Sequence, residues 1–440
     1  MTRRRRSRRL PAAAFAVAVL TVAIGAGVAS GLAARAASPS ETAAGFTVVG
    51  SLPASAVRAP AGSQPAPSSP GSGAATPAPT GGGQTPTPVA PSASAPGPGA
   101  PGSASPGVGS EPLTIARLVG QKLVVRMDGA VPSADLLGRI RRGEVGGVVL
   151  FGPNLTTPDA LVRLTATLHD AATAGGNPRL LIAVDQEGGS VKRIPWAPPT
   201  LSAPQMGADG SDALALAEGA ATGGALRALG VDVDLAPVAD VPAATSSFMA
   251  RAGRTFSFDA VRTARLANAF ASGIRSSGVI PTLKHFPGIG RATQNTDVAV
   301  VTIDAARARL AAGLLPYRTA IRQQIPLIML SNATYPAYDP LDGAGWSPAI
   351  VGTLLRHDLG YTGATITDGL DGTAHARGTT PSRLAILAAA AGTDLILITG
   401  SEPESRKVFA SLVAAAESGA IPRAALEASY ARILALKSGD

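Results

Sequence analysis

The chain has 440 residues, a formal charge of +9 and no cysteine. Lacking cysteine, it has no disulfide framework, no cysteine zinc site and no thiol for lipid attachment. Arg3, Arg4, Arg5, Arg6, Arg8 and Arg9 carry six of the nine charges and leave +3 for the rest, so no basic stripe marks a nucleic-acid partner.

Residues 1–36 join that arginine run to an apolar, alanine-rich stretch from Leu10 to Ala34. This is the layout of a secretory signal peptide, with Ala34-Arg35-Ala36 as an A-x-A cleavage site. The apolar stretch also suffices to cross a bilayer core of about 30 Å, so an uncleaved anchor that tethers the chain to the membrane stays open. With an anchor, the arginines stay in the cytoplasm. Either way the remainder is expected to be extracytoplasmic, secreted or held at the outer face of the cytoplasmic membrane. Arg8-Arg9 matches a twin-arginine signal only weakly.

Residues 37–112 read as a linker. From position 52 onward they are Pro, Ser, Ala, Gly and Thr with almost no charge or aromatic side chains. Such a segment has too little apolar surface to offset its chain entropy, so a disordered, partly extended spacer is expected.

At Leu113 the pattern changes to short apolar runs alternating with amphipathic segments. The expected strands are 123–127, 147–151, 180–185, 231–238, 279–285, 327–331, 364–368 and 394–399. Helical segments are expected at 158–172, 212–229, 260–277, 305–324, 347–359, 403–418 and 423–437. About eight β/α units over residues 113–440 predict an α/β fold, a (β/α)8 TIM-type barrel with irregular early units allowed. The competitor is a doubly wound open sheet. It normally carries a glycine-rich phosphate turn after its first strand, which this sequence lacks.

In such a barrel, chemistry sits where strands end. Polar residues collect there. Strand three runs into Asp185-Gln186-Glu187-Gly188-Gly189, with Lys192 and Arg193 beyond. Strand four carries Asp232 and Asp234 and leads to Asp240, then Arg251 and Arg254. Strand five ends in Lys284-His285, strand six in Ser331-Asn332 and strand seven in Thr367-Asp368. Taken alone, the Lys284-His285 pair fits a solvated lysine and a satisfied histidine equally well. Repetition at several strand ends argues against solvation as the sole cause. With only four histidines and no pair at ligand spacing, neither a metal nor a cofactor is expected.

The segments Asp185-Gln186-Glu187-Gly188-Gly189-Ser190-Val191-Lys192-Arg193, Leu235-Ala236-Pro237-Val238-Ala239-Asp240-Val241, Arg254-Thr255-Phe256, Lys284-His285-Phe286-Pro287-Gly288 and Ile366-Thr367-Asp368 resemble, in order and spacing, glycoside hydrolase family 3. The resemblance is closest to its single-barrel β-N-acetylglucosaminidase (β-N-acetylhexosaminidase) branch and covers residues 113 to about 436. It implies a retaining hydrolase that removes terminal β-linked N-acetylglucosamine from peptidoglycan or chitin-type fragments. By the same resemblance Asp368 is the nucleophile, and Asp185, Arg193, Arg254, Lys284 and His285 hold the sugar. Asp240 has weaker support and fits a structural role. The expected partner is an N-acetylglucosamine-containing glycan, and the expected state is a monomer.

The sequence departs from the branch at the acid/base. The branch follows its Lys-His-Phe-Pro-Gly element with His-Gly and then an Asp-Ser-His triplet. Here Ile289 stands at the first His, and Asn295-Thr296-Asp297 stands at the triplet. Three outcomes stay open. Asp297 acts as the acid, which requires its pKa to be raised. His375, beyond Asp368, swings in. Or the barrel is degenerate and binds cell-wall glycan without efficient hydrolysis. Two-domain members draw their acid from a second domain, and the sequence ends at Asp440. Asn332 is a further change, since a His is common there in the family.

Overall fold

The computed structural model describes residues 113–439. The expected signal or anchor segment, residues 1–36, and the linker, residues 37–112, lie outside the described residues. No helix among the described residues is long and apolar enough to cross a membrane.

Eight parallel strands form the framework: β1 (Leu123–Arg126), β2 (Gly147–Val149), β3 (Leu181–Val184), β4 (Val233–Asp234), β5 (Ile280–Phe286), β6 (Leu327–Leu330), β7 (Ala364–Thr367) and β8 (Ile396–Ile398). Each pairs with its sequence neighbours, and β8 returns to β1 through Leu123↔Ile396. The seam between β7 and β8 closes on one bridge, Ile366↔Leu395. The sheet is therefore a barrel, and the doubly wound alternative is excluded.

Every predicted strand is present; most are trimmed by one to several residues, while β5 runs one residue further, to Phe286. The greatest loss is in β4, predicted over 231–238 and regular over two residues only. The seven predicted helices are present too, the one at Ala349–Asp358 being wound as a π-helix. Helices Ile115–Lys122, Ala134–Arg141, Ala203–Asp209, Phe248–Arg251, Leu370–Ala376 and Pro381–Ala390 are not among the predicted ones. All six are ten residues or shorter, too short to establish a 3.6-residue period.

Side-chain alternation divides the core in two. Val124, Val149, Leu181, Ala183, Val233, Leu235, Leu327, Met329, Ala364, Ile366, Leu395 and Leu397 point inward and fill the barrel. Their neighbours Val125, Val148, Ile182, Val184, Ile328, Leu330, Ile396 and Ile398 face the surrounding helices. Both faces are buried, so the strands read as continuous apolar runs. Ile433 and Leu436 of the last helix (Arg423–Ser438) join the interior set.

Helix starts follow local capping chemistry. Thr157, Ser211, Asp259, Thr380 and Ser401 each accept a backbone N–H of the first turn through the side chain. Proline follows at the head of three of these helices, where its missing N–H costs nothing.

Candidate active site

The period of two that fills the barrel also builds its mouth. One inward step beyond Leu181 and Ala183 comes Asp185. One step beyond Ala364 and Ile366 comes Asp368, and beyond Leu395 and Leu397 comes Thr399. These residues line a cleft of about 370 Å³ with Phe151, Arg193, Phe248, Arg254, Lys284, His285, Ile289, Asn295, Asp297 and Gly372, among others. A larger cavity, about 700 Å³, opens among strand starts and the last helix. Its lining includes Val279, Ile280, Ile325, Tyr361 and Leu436 but no carboxylate, so it lacks the groups that glycosyl chemistry needs.

Lys284 and His285 are adjacent, yet both line the cleft. The pairing of β5 with β6 slips between Leu283 and Phe286, and this irregularity breaks the alternation. Lys284 is 2% exposed and places Nζ 2.7 Å from Asp185 Oδ1 and 2.7 Å from Glu187 Oε1. Arg254 grips Glu187 from the other side, Nε to Oε2 at 2.9 Å and a second guanidinium N–H to Oε1 at 2.7 Å. Burial alone would raise the Glu187 carboxyl; Lys284 and Arg254 overcome it and hold it at about 2. Glu187 thus stays ionised and fixes both cations. Arg193 stands 3.9 Å from the Asp185 carboxylate and lies over the Phe151 ring, 5.6 Å from its centroid.

Asp185 precedes, and Glu187 is the middle residue of, the first strand of a small hairpin, Gln186–Gly188 against Val191–Lys192. Its turn is made by Gly188 and Gly189, with φ of +88° and +60°, a region open to glycine at no steric cost.

His285 is held by Asp240, whose Oδ2 lies 2.8 Å from Nδ1. Asp240 is fully buried and also accepts the Ile289 backbone N–H at 2.7 Å. It therefore has a positioning geometry, as the weaker sequence signal allowed. The other ring nitrogen, Nε2, points toward Asp368 Oδ2 at 4.0 Å.

Asp297 reaches the cleft because its loop is clamped to the helix that follows Asp368. Thr373 Oγ1 donates to Thr296 O at 3.0 Å. A Cβ on Gly372 would meet Asp297 O at 2.5 Å, so only glycine permits that approach. Burial, then the Asp368 charge, pushes Asp297 up to about 6 against a lowering hydrogen bond from Asn295. The residue is nonetheless solvent-exposed at the cleft mouth. Water tempers the burial contribution there, and repulsion by Asp368 is the better-founded cause.

His375 lies on the exposed side of the same helix and does not line the cleft. Asn332 is buried and ties strand β6 to the Asp368 loop, donating to Gly369 O at 2.7 Å and Thr373 Oγ1 at 2.9 Å. Two participants went unassigned in the sequence. Glu187 was visible in Asp185-Gln186-Glu187, but only the fold shows that it pairs with Lys284 and Arg254. Asp234 faces outward from β4, fully buried, and accepts the Gln186 backbone N–H at 3.0 Å. Burial pushes its carboxyl up to about 8. Among the described residues no group of three or more His, Asp or Glu side chains could hold a metal ion.

The barrel, the carboxylates at its strand ends and their ionic neighbours agree with a match found on the sequence. Residues 115–436 fit the family model described as the glycosyl hydrolase family 3 N terminal domain. The chain belongs to glycoside hydrolase family 3. It is a glycoside hydrolase. An uncharacterized secreted glycosyl hydrolase from Arthroderma benhamiae is 33% identical over 333 residues, which is 74% of this chain and 94% of the relative. Among solved structures, the β-N-acetylhexosaminidase from Beutenbergia cavernae DSM 12333 superposes with a TM-score of 0.69 at 34% identity. That match spans 74% of this chain and 99% of the other. A family 3 β-N-acetylglucosaminidase from Paenibacillus sp. str. FPU-7 gives a TM-score of 0.71 at 33% identity, with 74% of this chain covered. This chain spans 62% of that larger family 3 protein.

Proposed function

We propose that this family 3 hydrolase removes terminal β-linked N-acetylglucosamine from peptidoglycan or chitin-type fragments by a retaining mechanism, with Asp368 as nucleophile and Asp297 as acid/base. The observation that carries the reading is the pairing of Asp297 and Asp368 in one cleft. The first is raised to about 6 and the second contributes to raising it. A raised carboxyl beside a second carboxylate suits the division into a proton donor and an attacking group. The names of the Beutenbergia and Paenibacillus proteins support the sugar.

In the first step an Asp368 oxygen bonds to the anomeric carbon as the glycosidic bond breaks, and the Asp297 proton passes to the leaving oxygen. In the second, Asp297, now ionised, takes a proton from water, and that water displaces Asp368 from the sugar. Lys284, Arg254, Arg193 and Asp185 supply charged hydrogen-bond partners for the sugar hydroxyls, and His285 presents Nε2 beside Asp368. Such bonds strengthen as the oxocarbenium-like state develops. The arginine-rich apolar amino terminus, together with a relative described as secreted, supports action outside the cytoplasm. The length and apolar character of residues 10–34 also support a membrane tether.

The test is hydrolysis of nitrophenyl β-N-acetylglucosaminide by the full chain and by its Asp368→Asn variant, with the matching glucoside and xyloside. The expected result is N-acetylglucosaminide turnover that the variant abolishes. A second reading, a glycan-binding barrel without efficient hydrolysis, is favoured by Ile289. It is 4% exposed and stands where the family's related branch has a proton-carrying His. Binding of N-acetylglucosamine with no turnover of any of the three substrates would establish that reading instead.

A further inference from the structure

The seam between β7 and β8 is held by backbone bonds only near Leu395, which donates to Thr365 O at 2.8 Å and accepts the Thr367 N–H at 3.0 Å. Further along β8 the N–H groups meet side chains instead. Leu397 N–H donates to Thr367 Oγ1 at 3.0 Å, and Thr399 N–H donates to Asp371 Oδ2 at 2.6 Å. The cause is local. After Thr367 the chain leaves the sheet and turns through Asp368 into helix Leu370–Ala376, so β7 offers no further carbonyl. The two side chains that take its place stand on either side of Asp368.

Thr399 lines the cleft; Asp371 stands behind it, outside the lining. Thr399 Oγ1 also lies 3.2 Å from Asp371 Oδ2. A carboxylate oxygen only accepts, so the hydroxyl proton is turned toward Asp371 and the lone pairs of Oγ1 are left for the cleft. Space confines the pair on both flanks. A Cβ on Gly369, the residue after Asp368, would stand 3.2 Å from Thr399 Oγ1, and a Cβ on Gly400 would strike Asp371 Oδ1.

The cleft has a use for such an acceptor. Lys284, Arg254 and Arg193 can only donate, so they meet the lone pairs of a sugar hydroxyl and leave its proton without a partner. Asp185 Oδ1 is taken by Lys284, and Asp368 is given to the chemistry. Thr399 presents a neutral acceptor beside Asp368, with its orientation already set by Asp371.

We propose that Asp371 is a positioning residue that aims the Thr399 hydroxyl, and that Thr399 accepts the proton of a hydroxyl on the sugar bound beside Asp368. This rests on the glycosidase reading above and deepens it by naming a specificity-determining contact at the same site.

The experiment titrates the full chain with N-acetylglucosamine by calorimetry and measures kcat and KM on nitrophenyl β-N-acetylglucosaminide. Thr399→Val keeps the shape without the hydroxyl and is expected to weaken binding roughly three- to tenfold, the loss of one neutral hydrogen bond. Thr399→Ser should keep most of the affinity. Asp371→Ala frees the hydroxyl to turn its proton inward and should cost a similar factor. Asp371→Asn retains an oxygen that can accept the same two donors and should stay near the parent. In the Thr399→Val background, Asp371→Ala should add little, the non-additivity that marks action through Thr399. The two Thr399 variants decide the acceptor role whether or not Asp371→Ala folds.

Parent-like affinity in Thr399→Val overturns the proposal, as do additive losses in the double variant or an Asp371→Asn loss equal to that of Asp371→Ala. Turnover with KM and affinity indifferent to Thr399 sinks this contact alone. Absence of turnover, with binding still dependent on the Thr399 hydroxyl, sinks the catalytic reading and leaves the contact standing. A parent that neither binds nor hydrolyses sinks both.

Discussion

Lys284 Nζ lies 2.7 Å from Glu187 Oε1, and both side chains are almost shut away from water. A buried carboxylate is tolerated because two cations share it, Lys284 and Arg254. Removing it strips Arg254 of its carboxylate and leaves Lys284 with Asp185 alone, a loss on the order of 3–5 kcal/mol. Glu187→Ala is therefore expected to lower the urea midpoint by a corresponding amount and to raise KM, since Lys284 and Arg254 lose their orientation. A midpoint within error of the parent would refute the role given to Glu187. The pH sign follows from its depressed carboxyl, about 2 when folded against an ordinary value of 4.5. Its stabilising contribution is complete above about 4.5 and disappears as pH falls toward 2.

Asp297 must carry a proton to serve as the acid. With its carboxyl at about 6, the protonated fraction falls as pH rises through that value. For a substrate with an unactivated leaving group, kcat/KM is expected to decline about tenfold per pH unit above 6. Asp297→Asn should remove that limb and lower the rate by roughly 10²–10⁴-fold on such a substrate. On a nitrophenyl glycoside the effect on kcat/KM should be far smaller, because that leaving group departs without help. A parent profile that stays flat from pH 5 to 8 would assign the acid elsewhere.

Asp234 is held protonated in the folded protein up to about pH 8, against an ordinary value of 3.8. Between those values the unfolded chain has released the proton and the folded chain has not, so this group erodes stability as pH rises and stops doing so above 8. Asp234→Asn cannot ionise. Its Tm relative to the parent is expected to climb between pH 4 and 8 and then level off, as measured by scanning calorimetry. A constant difference across that range would show that Asp234 is ionised in the fold.

Gly372 is the contact through which the acid loop meets the helix after Asp368. A methyl group there would strike Asp297 O, with 2.5 Å available. Gly372→Ala should displace Asp297 and reduce kcat on an unactivated substrate by up to about 10²-fold, since small misplacements of a reacting group carry that penalty. Fold stability, read by Tm, should change little, because the strain falls on a loop at the cleft mouth. Unchanged kcat would mean that the loop relaxes without moving the carboxyl.

Much of the architecture was legible in the chain. Strands buried on both faces read as runs of Val, Ile and Leu, and the helices between them are long enough to show a period. The short helices at Ala134–Arg141 and Pro381–Ala390 escaped because eight or ten residues display two or three turns at most. Asp185, Arg193, Arg254, Lys284, His285, Asp297 and Asp368 were all named in advance, and all line one cleft. Glu187 and Asp234 were not given roles, because a carboxylate beside a strand end says nothing of which cations it will meet.

The sequence by itself determined the alternation of strand and helix and placed a polar residue just past several strand ends. Both are local: a period of two or 3.6 and a turn residue act over a few positions of chain. The tertiary structure alone decided which of those residues touch. Lys284 and Asp185 are 99 positions apart and meet at 2.7 Å, because the barrel sets β3 and β5 on either side of the short β4 with their ends converging on the mouth. The slip in register that turns both Lys284 and His285 into the mouth, and the clamp that sets Asp297 beside the Asp368 helix, belong to packing between distant segments. Charge follows the same division, since a carboxyl's pKa is set by what surrounds it. The chain therefore names the ionisable groups, and the fold decides which of them hold a proton.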